Sequence, residues 1–255
     1  MCICRVGGCA RREYIGMRFG IIGAMETEVA TLKKHMAQNG GYSSKRHAGM
    51  DFAVGKLGNA EAVVVKCGVG KVNAALCVQV LADFFEVTHI INTGVAGALN
   101  VNLDIGDILI STDALQHDVD VTALKYAPGQ IPGVPVLAFP ADPWMIMQAE
   151  KTAEALKNEP GFSGVSFIRG RVVSGDAFIS DSAVKKRLID EFRGDCCEME
   201  GAAIAQAAYA NNLPYVILRA ISDRANGVAT VDYPVFESQA AVRCSRFVEY
   251  MINRN

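Results

Sequence analysis

From Met17 onward, short apolar runs alternate with longer segments whose apolar positions recur at helical spacing. Residues 18–24 are nearly all apolar or glycine and predict a buried strand. Residues 26–37 follow as a helix, with Val29, Leu32 and Met36 on one face. Strands over 51–57 and 62–67 are separated by Gly58-Asn59, a turn signal of hairpin type. A helix over 71–85 leads to a strand over 89–93 that runs into Gly94-Val95-Ala96-Gly97. Residues 105–115 are strand-rich, and 126–140 read as a loop punctuated by four prolines. Helices over 142–157, 182–192, 199–211 and 235–252 are interleaved with strands over 170–174 and 215–222.

Strands and helices alternating in this way predict an α/β fold: one domain, with a mixed, mostly parallel central β-sheet flanked by helices. The hairpin at Gly58 is what makes the sheet mixed. No repeat, linker or low-complexity stretch divides residues 17–255. Residues 1–16 carry Arg5, Arg11 and Arg12 but no apolar core of signal-peptide type. They are expected to be a disordered extension or a mis-set start ahead of the domain.

Composition narrows the classes. The chain has 255 residues, 51% hydrophobic and 20% charged, which fits a globular enzyme and argues against disorder. A formal charge of −2 with no basic stripe argues against nucleic acid as a partner. Lys66, Lys71 and Asp83 interrupt the longest apolar stretches, so none reaches the roughly 18 residues of a membrane span. Of eight cysteines, Cys67, Cys77, Cys196, Cys197 and Cys244 sit in apolar or helical context without zinc-site spacing. Free thiols and a cytoplasmic location are therefore expected.

In sheets of this kind ligands bind beyond the carboxyl ends of the strands. That rule selects the segments at Ala24–Glu28 by number 24–28, at 67–70, at 94–97, at 174–178 and at Ser222-Asp223. Gly68-Val69-Gly70-Lys71 is only a partial likeness to a phosphate loop, since Val72 replaces the Ser/Thr of that motif. His117-Asp118-Val119-Asp120 could be a metal-binding fragment, but a strand end with solvated acids explains so short a motif better. Asp223 ends an apolar strand interrupted by Arg219. Desolvation there favours the protonated carboxyl, which suits a general acid; a helix N-cap is an equal alternative. Glu198 and Glu200 open an Ala-rich helix, where the macrodipole favours acids, yet their neighbours are apolar and a buried carboxylate needs a partner such as Arg219. For Glu28, with Glu26 as its neighbour, a solvated helix face is the favoured account on position alone.

Taken together, six short segments resemble the methylthioadenosine/S-adenosylhomocysteine nucleosidases, within the nucleoside phosphorylase superfamily. They are Phe19-Gly-Ile-Ile-Gly-Ala-Met-Glu-Thr-Glu28, Cys67-Gly-Val-Gly-Lys-Val72, Ile91-Asn-Thr-Gly94 with Ala96-Gly97, Val173-Ser-Gly-Asp-Ala-Phe-Ile179, Glu198-Met-Glu200 and Arg219-Ala-Ile-Ser-Asp223. The likeness spans most of the chain, from Met17 to about Phe247. It implies hydrolysis of the bond between a purine and a ribose, without cofactor or metal. By the resemblance, Asp223 protonates purine N7 with Ser222 holding it, Glu200 binds the ribose hydroxyls, and Glu28 is the base for water with Arg219 helping. Backbone groups of Phe178 and Ile179 bind adenine, Met199 packs under the ribose, and Met25, Val69, Ala96, Gly97 and Glu198 complete the pocket. Tyr233 fills a ribose-contacting position. Leu124 stands where an aromatic often caps the alkylthio pocket, and the loop from Leu124 to Pro132 enters a neighbouring subunit's site, implying a homodimer. Val95 departs from a small polar residue common in relatives. Other acceptors or substrates on the same fold, a futalosine-type hydrolase or a purine nucleoside phosphorylase, are the alternatives. A non-catalytic nucleoside-binding protein is a third, disfavoured because binding alone does not need all three acids.

Overall fold

The computed structural model describes residues 16–223 and 233–253, the side chains of 233–235 excepted. The extension expected over 1–16 lies outside the described residues, apart from Gly16. The elements in chain order are β1 (Arg18–Gly23), α1 (Glu26–Gln38), β2 (Tyr42–His47), β3 (Met50–Leu57), β4 (Ala60–Lys66), α2 (Lys71–Phe85), β5 (His89–Ala98) and β6 (Ile108–Gln116). After a single 3-10 turn at Thr122–Leu124 come β7 (Phe139–Pro140), α3 (Pro143–Leu156), β8 (Phe167–Ser174), α4 (Ser182–Phe192), β9 (Cys196–Glu198), α5 (Gly201–Ala210), β10 (Tyr215–Asp223) and α6 (Tyr233–Asn253).

All ten strands belong to one sheet. At its centre β5 pairs in parallel with β1 on one side and β10 on the other, and β1 pairs in parallel with β4. The hairpin β3–β4 and its edge strand β2 are antiparallel. On the far side, β10 pairs antiparallel with β6, β6 parallel with β8, β8 parallel with β9, and β9 returns antiparallel to the end of β5. These five strands therefore close into a ring, which leaves β5, β10, β6, β8 and β9 without free edges where they pair.

Each face of the sheet has its own core. One is built with α1, α3 and α6, through side chains such as Val29, Leu32, Met145 and Phe247. The other is built with α2 and α5, through Ala74, Leu81, Ala202 and Ile204. β1, β5 and β10 are covered on both faces, so their residues are buried almost without interruption rather than alternately, and are mostly apolar. Helix starts are set locally. Asp142 accepts from the Met145 N–H at 2.9 Å ahead of Pro143, and Asp181 accepts from the Ala183 and Val184 N–H groups at 2.7 and 3.0 Å. The cysteines Cys67, Cys77, Cys196, Cys197 and Cys244 are buried free thiols.

The short strands β2, β7 and β9 were not foreseen, and the helix expected over 199–211 starts only at Gly201, because residues 196–198 pair with β5 and β8 as β9. Glu198 is thus a strand end and Glu200 the N-cap of α5, rather than both lying in a first helical turn.

Candidate active site

A cavity of about 780 Å³, part of it open to solvent, lies beyond the carboxyl ends of the parallel strands. Its floor comes from the ends of β1 and β5, with Met25, Val95, Ala96 and Gly97. Val69 of the β4–α2 loop and Ala177, Phe178 and Ile179 of the loop after β8 form the sides. The rest is Cys197, Glu198, Met199 and Glu200 at the start of α5, with Ser222 and Asp223 at the end of β10 and Glu28 from α1. Three carboxylates from distant parts of the chain, Glu28, Glu200 and Asp223, converge here.

Glu28 is held by three backbone donors. Its Oε2 accepts from the N–H groups of Ala24 at 2.6 Å and Met25 at 3.0 Å, and its Oε1 from Val95 at 3.0 Å. The bond from Met25 is half of a helix capping box, but Glu28 is buried, so it is not part of a solvated helix face. Gly94 makes the approach possible: a Cβ there would stand 2.3 Å from Glu28 Oε1. Burial pushes the Glu28 carboxyl up from its ordinary range, and this outweighs the nearby Arg219 charge and the three amides. A carboxylate shifted upward is better suited to take a proton near neutral pH.

Glu200 is buried, and its Oε1 accepts from the Gly70 N–H at 2.8 Å. Burial, reinforced by the neighbouring Glu198 charge, pushes its pKa up to about 8. At the end of β10 the register shifts between Ile221 and Asp223, a bulge of the kind that re-aims side chains beside active sites. Ser222 Oγ donates to Asp223 Oδ2 at 2.9 Å, fixing the carboxyl within the wall.

Glu198 lines the cavity, but its oxygens are already engaged. Arg219 Nη2 donates to Oε2 at 2.5 Å, Ser174 Oγ donates to Oε1, and the Gly201 N–H lies 2.8 and 3.0 Å from the two oxygens. Its carboxylate both accepts from the first N–H groups of α5 and forms one half of a buried ion pair. Arg219, 2% exposed, does not line the cavity; it stands behind the wall and also donates to Asn92 Oδ1 at 2.5 Å. Arg219 thus supports Glu198 directly and places its charge near Glu28. Leu124 and Pro132 are exposed and outside the cavity of this chain. The side chain of Tyr233 lies outside the described residues, as does Arg224-Ala225, on which the N-cap alternative for Asp223 depended.

Several contributors escaped the sequence. Cys197 faces the cavity because β9 is a strand; burial pushes its thiol up to about 12, with the Asp223 charge adding to the effect. Asn92 and Ser174 anchor Arg219 and Glu198; both lie in segments the sequence singled out, but neither was given a role there. Gly70 carried a signal, since its φ of 98° lies in a region that favours glycine.

An α/β sheet curled into a ring, with an acid-lined small-molecule cavity at its carboxyl edge, defines an enzyme class whose family the comparisons identify. Residues 18–253 match the family model of the Phosphorylase superfamily. A 5′-methylthioadenosine/S-adenosylhomocysteine nucleosidase of Bacillus thuringiensis is 38% identical over 91% of this chain and 96% of its own. The nucleosidase of that name from Colwellia psychrerythraea, solved in complex with adenine, aligns with a TM-score of 0.86 at 36% identity, covering 93% of this chain and 95% of its own. Futalosine hydrolase of Helicobacter pylori aligns with a TM-score of 0.87 at 27% identity, covering 95% of this chain and all of its own. The chain belongs to the phosphorylase superfamily and, within it, to the 5′-methylthioadenosine/S-adenosylhomocysteine nucleosidases.

Proposed function

We infer that this chain hydrolyses the N-glycosidic bond of 5′-methylthioadenosine and S-adenosylhomocysteine, releasing adenine and the 5-thioribose product. The observation that carries this is the convergence of Glu28, Glu200 and Asp223 on one cavity. Each has a separable task. A purine anion is a poor leaving group, so Asp223 gives N7 a proton as the bond to the anomeric carbon breaks and its electron pair leaves with the base. The sugar becomes oxocarbenium-like and is stabilised by the acidic wall, where Glu200 hydrogen-bonds to the ribose hydroxyls. Water then attacks the anomeric carbon, and Glu28 takes its proton. The apolar sides, Phe178, Ile179 and Met199 among them, suit a purine and the underside of a sugar. The reaction needs no cofactor or metal.

Glu28 also bears on the acceptor. A phosphorylase needs cationic and backbone donors for phosphate where this cavity presents a carboxylate. A futalosine-type substrate is the second reading, supported by the fold likeness to that hydrolase, though at lower identity than to the nucleosidases. A homodimer and a cytoplasmic location belong to the same proposal. Val72 and Leu76 stand out from α2 at 70% and 49% exposure, Leu124 is 69% exposed, and Val69 and Phe178 at the cavity are exposed as well. A second copy would cover this apolar rim.

One assay tests the whole. Purified protein is given methylthioadenosine, S-adenosylhomocysteine, inosine and futalosine, each with and without phosphate, and base release is followed. Adenine release from the first two without phosphate is expected; strict dependence on phosphate would sink the hydrolase assignment. Asp223→Asn and Glu28→Gln are expected to lower kcat by about 10²-fold or more, the scale of acid–base catalysis. A near-wild-type rate in either removes that residue's role.

A further inference from the structure

Three polar side chains outside the cavity form a closed ring that the reaction does not use. Lys71, the first residue of α2, donates from Nζ to Asp118 Oδ1 at 2.6 Å. Asp118, just past β6, accepts the Asp176 N–H on its other oxygen at 3.0 Å. Asp176, in the loop after β8, accepts the Lys71 N–H on Oδ1 at 2.8 Å. The ring thus ties three separate segments together through both side chains and backbone. Lys71 Nζ also donates to Gln116 Oε1 at 3.0 Å, and Gln116 donates to Gln206 of α5 at 2.6 Å.

Two of the three segments held by the ring line the cavity, one through Val69 and the other through Phe178. Gly70, one residue before Lys71, donates to Glu200, and a Cβ there would stand 3.1 Å from Asp176 Oδ1. Phe178, two residues after Asp176, lines the cavity. Gly175 packs against the ring of His117, where a Cβ would come within 2.5 Å of Cε1 and Nε2. Burial works to raise the Asp118 pKa, but hydrogen bonds from Lys71 and the Asp176 N–H outweigh it and hold the carboxyl below its usual range, so Asp118 is ionised. The Lys71 and Asp118 side chains are 18% and 31% exposed. Ion pairs that remain in contact with solvent contribute little to global stability. What the ring supplies is geometry.

We propose that Lys71, Asp118 and Asp176 form a positioning clamp that sets the β4–α2 loop and the loop after β8 at the spacing needed to bind nucleoside, acting through the Gly70 N–H on Glu200 and through the placement of Phe178. This rests on the nucleosidase assignment above. The groups that break the bond, Asp223 and Glu28, are held by β10, α1 and β5 and do not depend on the clamp, so its loss weakens binding more than turnover.

The test compares Lys71→Met, Asp118→Ala, the double variant and Lys71→Arg with the wild-type chain. KM for methylthioadenosine is expected to rise about tenfold in each single variant, with kcat within about threefold, because binding rather than the chemical step is lost. The double variant should be no worse than the more affected single one, and Lys71→Arg should recover most of the affinity. Hydrogen exchange should quicken at residues 68–72 and 175–180, with the melting temperature nearly unchanged. Unchanged KM, additive losses, or a joint fall of kcat and melting temperature would each overturn the clamp. If the wild-type chain released no base, the assignment of activity would fall, and exchange in the two loops would still decide the clamp.

Discussion

Gly94 and Glu28 are separated by most of two βα units, yet one exists for the other. The missing side chain at 94 is the space in which the Glu28 carboxylate sits. The φ of Gly94, 159°, lies where residues other than glycine are rarely found. Gly94→Ala is therefore expected to lower the melting temperature by several degrees while the chain still folds, since backbone strain of about 1–3 kcal/mol adds to the contact with Glu28. It should also push Glu28 from its three amides and lower kcat by about 10²-fold, as loss of a general base would. Thermal unfolding and steady-state kinetics on one preparation check both halves. A variant with full activity would show that the close fit is not required, and a collapsed fold would show that it is structural. Glu28, Glu200 and Asp223 were legible because acids stood beside glycines at strand ends, and the resemblance assigned their tasks. The notch at Gly94 was not legible, because it depends on where α1 docks against β5.

At the level of elements, α2 and α4 form over the residues that periodicity indicates, Lys71–Phe85 and Ser182–Phe192. β2 was missed for a physical reason: Tyr42-Ser-Ser-Lys-Arg-His47 is exposed along most of its length as a polar edge strand, so it has no buried face to imprint a pattern. β9 was missed because three residues are too short for a period. The outer face of α2 carries the clearest unused signal. Val72 and Leu76 are one turn apart and both exposed, beside Val69 at the cavity rim. If that face meets a second copy, Leu76→Glu should shift sedimentation from dimer to monomer, because a charge buried there without a partner is costly. KM should rise with it, as the partner's loop would no longer reach the cavity. A wild-type dimer that persists in the variant would move the interface elsewhere.

For the molecule as a whole, the raised carboxyls make stability depend on pH. Native Glu200 keeps its proton up to about pH 8, whereas in the unfolded chain it loses it near 4.5. Between these values the native state binds the extra proton, so this group's contribution to unfolding free energy falls as pH rises, by at most about 1.4 kcal/mol per pH unit. Glu28, also raised, acts in the same direction. His89 and His117 act oppositely below pH 6.5, because burial lowers both and the unfolded chain then holds protons the native state lacks. Urea unfolding of wild type and Glu200→Gln from pH 5.5 to 8 separates the contributions: the variant should gain relative stability steadily toward pH 8. Parallel curves would mean that Glu200 titrates normally in the native state.

The ring of strands has a consequence for synthesis. β10 is made last among the described strands, yet it lies between β5 and β6 and closes the sheet. Until residues 215–223 have left the ribosome, both neighbours have an unfilled edge and the cavity lacks Asp223. A nascent chain at that stage is neither active nor shielded, since open strand edges recruit other chains. Translation stalled before Tyr215 therefore leaves a partial sheet that needs protection by a chaperone, and catalysis begins only once its final strand is inserted.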